Sequence, residues 1–497
     1  MAENHQWTDA SSSHDATLFD RPRQREGKVP FHVMFLQGIS ALPGQHKDWA
    51  FNTLLLLFYS QVLGLPATYV SGILAIALVF DAVSDPVVGA LSDSYKSRWG
   101  RRHPLILCSA VPVCVSMYAL FSPPETLSGL ALAAWLLVAT VVLRVSFTFF
   151  AVPWGAIGAE LSTDYSERTK VIAYRMFIGG FGGVIFIAGI YELFPASDEY
   201  ANGLFNASNY QGFAIVIAAL MLLWSLLSGL TTLNQVKYLP QPKSRVPTVT
   251  FPELLARLRD GLSNPNFRVL FVATLIISSA IGTGLVFDTY MNTFFWEFGP
   301  DELRWFGLSF LGMAVAIFTI VPLQQRFEKR DILLFCLVVM TFLQISKVAL
   351  RFGGLLPPNG DPLLLPILVS HTCLLAFFGF VVLMMYASMI ADVADEQELQ
   401  NGLRQEGVFS GGISLSGKFT SGFGLILGGI LLEHAIQMPT GLTPGDVDGG
   451  ILFKLAITDG IIVPALNLVP LMLLLRYTLT RARVAEIQEV LQARRAV

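Results

Sequence analysis

Long apolar stretches, separated by shorter polar ones, follow one another along almost the whole chain. A helix needs about 20 residues to cross a bilayer, and twelve of the stretches are long enough to do so. They lie at 42–63, 67–92, 104–122, 128–156, 171–194, 210–233, 268–296, 303–323, 332–351, 363–391, 411–436 and 451–476. The pattern predicts an all-α membrane protein with twelve transmembrane helices.

The longest polar interruption falls between the sixth and seventh stretches and divides the chain into six plus six. Within it, leucines recur at helical spacing over 251–262 with charged residues between them, which predicts an amphipathic helix on the membrane surface. The predicted units are an N-terminal tail at 1–41, a six-helix half at 42–233, a central loop at 234–267, a second six-helix half at 268–476 and a C-terminal tail at 477–497.

Composition and loop charge agree with this pattern. Hydrophobic residues make up 53% of the chain and charged residues only 14%, which is too apolar for an ordinary soluble protein. The loops around Leu65 and Pro124 and those at 195–209 and 438–450 contain no Lys or Arg, so they are predicted to lie outside and both termini in the cytoplasm. The first 30 residues lack the apolar core of a cleaved signal peptide, and no segment resembles a nucleic-acid-binding arm.

Two acidic residues interrupt the second apolar stretch. Asp81 and Asp85 are four residues apart, so on a helix they share one face. A carboxylate at the middle of a bilayer costs roughly 2.5–3.5 kcal/mol. The pair therefore needs a cation, a proton, a basic partner or a water-filled cavity, and predicts a functional site. The alternative is that one of them is a helix-end charge near the membrane interface.

Basic residues within the spans offer partners for these acids. Arg144 and Arg175 can supply the positive counterpart of the two aspartates, or forked donors to substrate hydroxyls. Lys47 and Asp48 open the apolar part of the first span, where they either line the cavity or form a neutralised pair near the interface.

A lysine also lies within the eleventh stretch. Lys418 lies deep enough to need an acidic partner or a substrate oxygen, unless it extends to the inner interface. The surrounding residues 412–419 carry the glycines and lysine of a nucleotide-binding loop, but Phe419 stands where Ser or Thr must reach magnesium and no strand precedes the loop. Nucleotide binding is therefore not expected.

Other ionisable residues lie within or beside the predicted spans. They are Glu160, Asp288, Glu297, Lys347, Arg351, His371, Asp392 and Asp395. Glu297, Lys347 and Arg351 fall near the predicted outer ends, so all three are expected at the interface. Asp392 and Asp395 are expected to pair with Arg404 or Arg326 at the cytoplasmic end of their helix.

The loop after the second apolar stretch carries an ordered motif. Gly89 is followed by Asp93 four residues on, and then by Gly100, Arg101 and Arg102. This order resembles the signature loop of the major facilitator superfamily, in which it acts as a cytoplasmic latch between helices. A degenerate copy at 325–330 occupies the equivalent place in the second half, which supports the division into two six-helix halves.

Further motifs make the resemblance more specific. Residues 81–89 (DAVSDPVVG), 97–104 (SRWGRRHP), 152–169 (starting VPW) and 391–418 (starting ADVAD) together resemble the glycoside-pentoside-hexuronide:cation symporter family, the melibiose permease branch of the superfamily. The matches are spread over both halves, so the resemblance covers nearly the whole chain.

This resemblance implies a binding site for sodium, lithium or a proton at Asp81 and Asp85. It also implies that substrate is bound by an arginine at Arg175, a lysine at Lys418 and an acid near Asp48, with the Trp154 ring offering a stacking face. Two departures from the pattern concern the sugar: Asp48 aligns only after a shift of three residues, and Ala151 stands where the sugar permeases have a third acid.

We therefore expect a monomeric transporter of the major facilitator fold in a bacterial inner membrane. Its expected activity is symport of a glycoside with a monovalent cation by alternating access. No other cofactor and no enzymatic activity are expected. One alternative is a cation-coupled carrier of an amphiphile such as a lysophospholipid, since the helices are rich in Phe. The other, of a different class, is a receptor or scaffold that does not transport.

Overall fold

The computed structural model describes residues 28–95, 97–162, 164–239, 259, 261–401 and 422–495. All regular secondary structure in these ranges is helical, as predicted. Ten helices within them are long and apolar enough to cross a membrane. Most of the amphipathic helix predicted at 251–262 lies outside the described residues, as does Lys418.

The N-terminal half contains seven helical segments. They are α1 (Phe31–Ile39), α2 (Leu42–Trp49), α3 (Ala67–Ser94), α4 (His103–Phe121), α5 (Gly129–Glu160), α6 (Tyr165–Ile190) and α7 (Ala207–Thr231). The first membrane helix is interrupted, because α2 continues into π-helical turns at Ala50–Leu55 and Phe58–Val62.

The chain becomes helical earlier than its apolar pattern suggests. The first predicted span begins at residue 42, whereas α1 begins at Phe31, directly after Pro30. Polar residues such as Gln37 interrupt the apolar pattern of α1. In the fold Gln37 is buried, because α1 packs against α6.

The C-terminal half repeats this organisation. Its segments are α8 (Pro265–Tyr290), α9 (Phe310–Arg326), α10 (Lys329–Phe352), α11 (Leu364–Asn401), α12 (Gly422–Ile436), α13 (Gly449–Leu474) and α14 (Arg481–Arg495). A π-helical turn at Thr458–Ile462 interrupts α13.

The predicted C-terminal tail contains α14, which is fixed to the helices beside it. The Arg481 guanidinium donates to the carbonyl of Gln325, in the last turn of α9, at 2.9 Å and to that of Phe327, between α9 and α10, at 2.7 Å. Gln488 donates to Asp395 on α11 at 3.2 Å, and Arg494 donates to a carbonyl on the same helix. The helix thus joins three segments of the C-terminal half.

The hydrophobic core differs between the two ends of the molecule. At the end where α3 begins and α12 ends, one continuous cluster of buried side chains includes residues of both halves. At the opposite end, where α3 ends and α10 begins, each half has a separate cluster. We call these the sealed end and the split end. The structure therefore shows two halves joined at one end of the bundle.

Polar contacts join the halves at the sealed end as well. Thr68 at the start of α3 donates to Glu433 on α12 through both its amide, at 2.8 Å, and its hydroxyl, at 2.6 Å. Arg304 forms an ion pair with Glu192 at 2.5 Å. Asn202 donates to a carbonyl of the other half. The loops predicted to lie outside the cell are at this end.

Candidate cation and substrate site

Asp81 and Asp85 lie about half-way along α3. Ala67 starts the helix, so a rise of 1.5 Å per residue places Asp81 about 21 Å from the sealed end of a helix some 42 Å long. The side chain of Asp81 is only 16% exposed. Asp81 is thus held in the interior of the bundle, and Asp85 lies one turn further along the same helix.

Arg144 on α5 supplies a counter-charge to the pair. Its guanidinium lies 2.5 Å from the Asp81 carboxylate, and its side chain is only 5% exposed. The same guanidinium lies over the Phe51 ring at 5.3 Å. Of the two arginines suggested by sequence as partners for the aspartates, Arg144 is therefore the one that contacts Asp81.

A threonine that the sequence pattern did not single out, Thr148 on α5, contacts the second of the two acids. The Thr148 hydroxyl lies 3.2 Å from the Asp85 carboxylate, 3.2 Å from the Ser84 hydroxyl and 3.1 Å from the Arg144 carbonyl. A hydroxyl has one proton to donate, so Thr148 can serve only one acceptor at a time. Its spacing of four residues from Arg144 was the available signal, because this places both side chains on one face of α5.

Together these groups form an oxygen-rich site. Two carboxylates and two hydroxyls, from Asp81, Asp85, Ser84 and Thr148, are hard ligands of the kind that alkali and alkaline-earth cations prefer. A carboxylate can equally take a proton. We call these four residues and Arg144 the oxygen cluster.

The Lys47–Asp48 pair lies beside this cluster. The Lys47 ammonium is 2.5 Å from Asp48, whose side chain is 55% exposed. It also lies 5.6 Å from the centre of the Phe51 ring, the ring that Arg144 contacts. Phe51 therefore separates two cationic side chains, one on the first membrane helix and one on α5.

Trp154 and Arg175 form a separate unit on another side of α5. The Arg175 guanidinium stacks 3.8 Å above the centre of the Trp154 ring, and the Gln37 amide donates to the Trp154 carbonyl at 3.2 Å. Six residues separate Trp154 from Thr148, which is about 120° around the helix. The structure thus does not bring Trp154, the predicted stacking face for the substrate, into the oxygen cluster that contains the predicted cation ligands Asp81 and Asp85.

Charged residues of the signature loop meet at the split end. Arg101 and Arg102 contact the Glu160 carboxylate at 2.5 Å and 2.6 Å, and Arg102 lies 3.3 Å from Asp93. Burial raises the pKa of Glu160, whereas the two arginines lower it, and the effect of burial is the larger. These four residues, the latch cluster, join the ends of α3 and α5 to the start of α4.

The two glycines of the motif differ in their surroundings. Gly100 has φ = +78°, and a β-carbon there would lie 2.9 Å from the Val236 side chain, so the loop needs glycine for both its backbone angle and its space. A β-carbon at Gly89 would make an ordinary contact, 3.9 Å from Val152 on α5.

Replacing Glu160 by glutamine should destabilise the protein, because two largely buried arginines lose the nearer of their two counter-charges and keep only Asp93, which is half exposed. We expect the free energy of unfolding to fall by about 3 kcal/mol, the lower end of the cost of breaking a buried ion pair. Denaturant titration in detergent micelles measures this change. The control is Glu486→Gln, which breaks an exposed pair with Arg483 and should cost about 0–1 kcal/mol. Equal losses in the two variants would contradict the prediction.

Two expectations about ionisable residues elsewhere are wrong. Lys347 is not at the interface: its side chain is only 13% exposed and pairs with Asp459 on α13 at 3.1 Å. Asp392 pairs with Lys329 at 2.6 Å rather than with Arg326, and Arg404 lies outside the described residues. In both cases the partner is on another helix, 63 or more residues away in sequence.

The two repeated halves, the buried acids and the shared core at one end define a multi-pass membrane transporter of the major facilitator fold. The inward-open xylose transporter XylE from Escherichia coli has the same fold, with a TM-score of 0.56 at 12% identity over 93% of this chain and 99% of that one.

Residues 36–481 match the family described as MFS/sugar transport protein, and the chain belongs to that family. It is 25% identical to the isoprimeverose transporter of Lactiplantibacillus pentosus over 82% of this chain and 80% of that protein. It is also 25% identical to the uncharacterized symporter YnaJ of Bacillus subtilis, over 77% and 78% of the two chains. These relatives confirm the glycoside-pentoside-hexuronide group that the sequence motifs indicated, and a transporter rather than an enzyme.

Proposed function

We propose that this transporter carries a glycoside or related sugar together with a monovalent cation. The observation that carries the coupling is the ion pair between Asp81 and Arg144 beside Asp85 and Thr148. An ion that binds the two carboxylates competes with Arg144 for Asp81. Cation binding and the position of a basic side chain are thereby linked.

This competition gives a mechanism for symport. A cation that binds at Asp81 and Asp85 releases the Arg144 guanidinium, which lies across the Phe51 ring from Lys47. The released guanidinium and the Lys47–Asp48 pair can then donate to and accept from sugar hydroxyls. Substrate therefore binds best after the cation, and the loaded halves rock to expose the site on the other side.

The driving force is adequate for accumulation. One monovalent cation that crosses 100 mV contributes about 2.3 kcal/mol. A tenfold cation gradient adds about 1.4 kcal/mol, by the rule of 1.36 kcal/mol per factor of ten. Their sum is about 3.7 kcal/mol. Because each 1.4 kcal/mol is a factor of ten, this corresponds to a substrate accumulation ratio on the order of several hundred.

The coupling ion is proposed to be sodium, lithium or a proton, and thermal unfolding distinguishes among them. We expect sodium or lithium chloride to raise the melting temperature of the wild type above its value in choline chloride at equal ionic strength, because a ligand stabilises the state that binds it. The Asp85→Asn variant should not respond. A shift with pH alone would identify the proton. A wild type that responds to neither contradicts coupling at this site.

The sugar specificity is proposed from the relatives and tested by counterflow. Proteoliposomes loaded with unlabelled isoprimeverose or melibiose should take up the labelled sugar, and lysophosphatidylcholine should not compete. Competition by the lysolipid without sugar counterflow would favour an amphiphile as substrate. Asp85→Asn should retain counterflow while losing concentrative uptake, since counterflow needs no ion gradient.

Arg175 is proposed to donate to sugar hydroxyls while Trp154 positions it. The guanidinium covers the ring face on which a sugar would otherwise stack, so the ring orients the arginine rather than the sugar. We expect Arg175→Ala to raise KM for the transported sugar at least tenfold, about 1.4 kcal/mol of lost binding. Trp154→Phe keeps a ring beneath Arg175 and should raise KM less. An unchanged KM in Arg175→Ala contradicts this role.

A further inference from the structure

A small cavity lies beside the latch cluster at the split end. It is lined by Gly100, Arg101, Arg102, His103, Glu160, Val236 and Leu239. Measured as the room for the centre of a water-sized sphere, its volume is about 10 Å³. This is enough for one water molecule. The start of α4, the end of α5 and the segment that follows α7 thus meet around a space of molecular size.

The side chains that line this cavity carry buried polar atoms with no hydrogen-bond partner among the described residues. These atoms are Arg101 Nε, Arg102 Nε and Nη1, His103 Nδ1 and Glu160 Oε2. Arg102 is only 5% exposed and His103 is fully buried. A buried polar atom without a partner is costly. Five of them, on four residues that line one cavity, indicate that a molecule in the cavity binds them.

The two oxygens of the Glu160 carboxylate have different surroundings. Oε1 accepts from Nη2 of Arg101 at 2.5 Å and from Nη2 of Arg102 at 2.6 Å. Oε2 is the buried oxygen that no described residue contacts by a hydrogen bond. An ionised carboxylate only accepts hydrogen bonds. The molecule in the cavity must therefore be able to donate to Oε2.

The hydrogen bonds of His103 fix which of its ring nitrogens carries the proton. Its Nε2 lies 3.0 Å from the Thr232 hydroxyl, and that hydroxyl donates its one proton to the Ser228 carbonyl at 2.8 Å. Nε2 must then be the donor to Thr232, and in the neutral ring Nδ1 is an acceptor. A second proton on the ring would add a positive charge beside Arg102. The molecule in the cavity must therefore donate to Nδ1 as well.

These requirements select the kind of molecule. A metal ion has no proton to donate and is repelled by the guanidinium groups. An anion is repelled by the Glu160 carboxylate and by the lone pair of His103 Nδ1. A water molecule donates two hydrogen bonds and accepts others, and buried waters typically make two to four. Water alone among these three has both the size and the hydrogen-bonding capacity of the cavity.

We propose that one water molecule is bound in this cavity as a fixed part of the latch. It accepts from the guanidinium nitrogens and donates to Glu160 Oε2 and His103 Nδ1. Through His103 and Thr232, it extends the latch from the end of α5 to the end of α7. The bridge holds these helix ends together as one unit while the two halves rock. The water site lies apart from the oxygen cluster, so it does not depend on which ion or sugar is carried.

Solid-state NMR of the full-length protein in lipid vesicles, labelled with ¹⁵N-histidine, tests this directly. The signals of His103 are those that disappear in His103→Gln. We expect Nε2 to carry the proton, Nδ1 to be unprotonated, and magnetisation to pass from water protons to Nδ1. A protonated Nδ1, or an Nδ1 that receives no magnetisation from water, would overturn the proposal.

Two variants at one buried lining residue test whether the water is in the cavity. Leu239→Phe adds volume to the wall and should expel the water. Transfer to Nδ1 should then be lost, and the melting temperature should fall because the polar atoms lose their partner. Leu239→Met conserves volume and should retain both. A Leu239→Phe variant that melts above wild type behaves as a filled apolar cavity, and retained transfer places the water elsewhere; either result contradicts the proposal.

A structure determination provides a second test that needs no variant. A crystal or electron cryo-microscopy map in which ordered water is visible should show a density peak within hydrogen-bond distance of both Glu160 Oε2 and His103 Nδ1. A map in which an arginine nitrogen contacts Oε2 directly, with no peak between them, rules the water out. Neither measurement needs substrate or a coupling ion, so failure of this proposal is distinguishable from failure of the proposed symport.

Discussion

Replacing Arg144 by glutamine is expected to abolish concentrative uptake and to make the protein dependent on an added cation. The variant leaves Asp81 without the guanidinium that lies 2.5 Å away. Breaking a buried pair in this way costs about 3–5 kcal/mol. An ion that occupies the vacated position recovers part of that loss, so sodium, lithium or acid should raise the melting temperature far more in the variant than in wild type.

Arg144→Lys is the matched control, because it retains the charge but not the planar fork. Its melting temperature should depend on cations as weakly as that of wild type. The measurement is a thermal unfolding series in choline, potassium, lithium and sodium chloride at several pH values. If Arg144→Gln unfolds at the wild-type temperature and shows no cation response, Arg144 does not compete for the carboxylates and the proposed coupling fails.

Replacing Gly429 by valine is expected to stop transport, because it keeps the two halves of the protein apart at the sealed end. A β-carbon at Gly429 on α12 would lie 2.7 Å from the Ser71 β-carbon and 2.9 Å from the Ala67 carbonyl on α3. Both lie in the other half, and the carbonyl belongs to the backbone, which cannot move away as a flexible side chain does. The population of molecules with the sealed end closed should therefore fall by at least tenfold, which requires only about 1.4 kcal/mol.

Spin labels on the two halves at the sealed end report this population as a distance distribution. Gly284→Val on α8 is the control, since a β-carbon there meets nothing within 4 Å. It should leave both the distances and uptake close to wild type. A Gly429→Val variant with the wild-type distance distribution would show that α3 and α12 can separate there without opening the sealed end.

Hydropathy predicts the architecture well because each span must satisfy its own backbone hydrogen bonds in lipid, and only long apolar helices do so. The sequence also predicts the position of Asp81 and Asp85, because acidic residues are rare within an apolar transmembrane stretch. The sequence does not predict the start of the first helix, because polar residues such as Gln37 interrupt the apolar pattern there. Gln37 becomes buried only through the packing of α1 against α6.

Partners across helices could not be read from the sequence. Arg144 lies 63 residues from Asp81, and Lys347 is more than 100 residues from Asp459. Sequence spacing carries no record of such contacts. Lys347 was expected at the interface because lysines near helix ends commonly extend to it. Instead, its ion pair with Asp459 keeps it buried. Lys418 stays a prediction, because it lies outside the described residues.

The attachment of α14 has a practical consequence for imaging. Small transporters offer electron cryo-microscopy little mass outside the micelle by which to align particles. Because α14 is held by Arg481 at its start and by Gln488 and Arg494 further on, a rigid fiducial protein joined to it by a continuous helix would inherit the orientation of the C-terminal half. One fusion site could then serve for every conformation of the cycle.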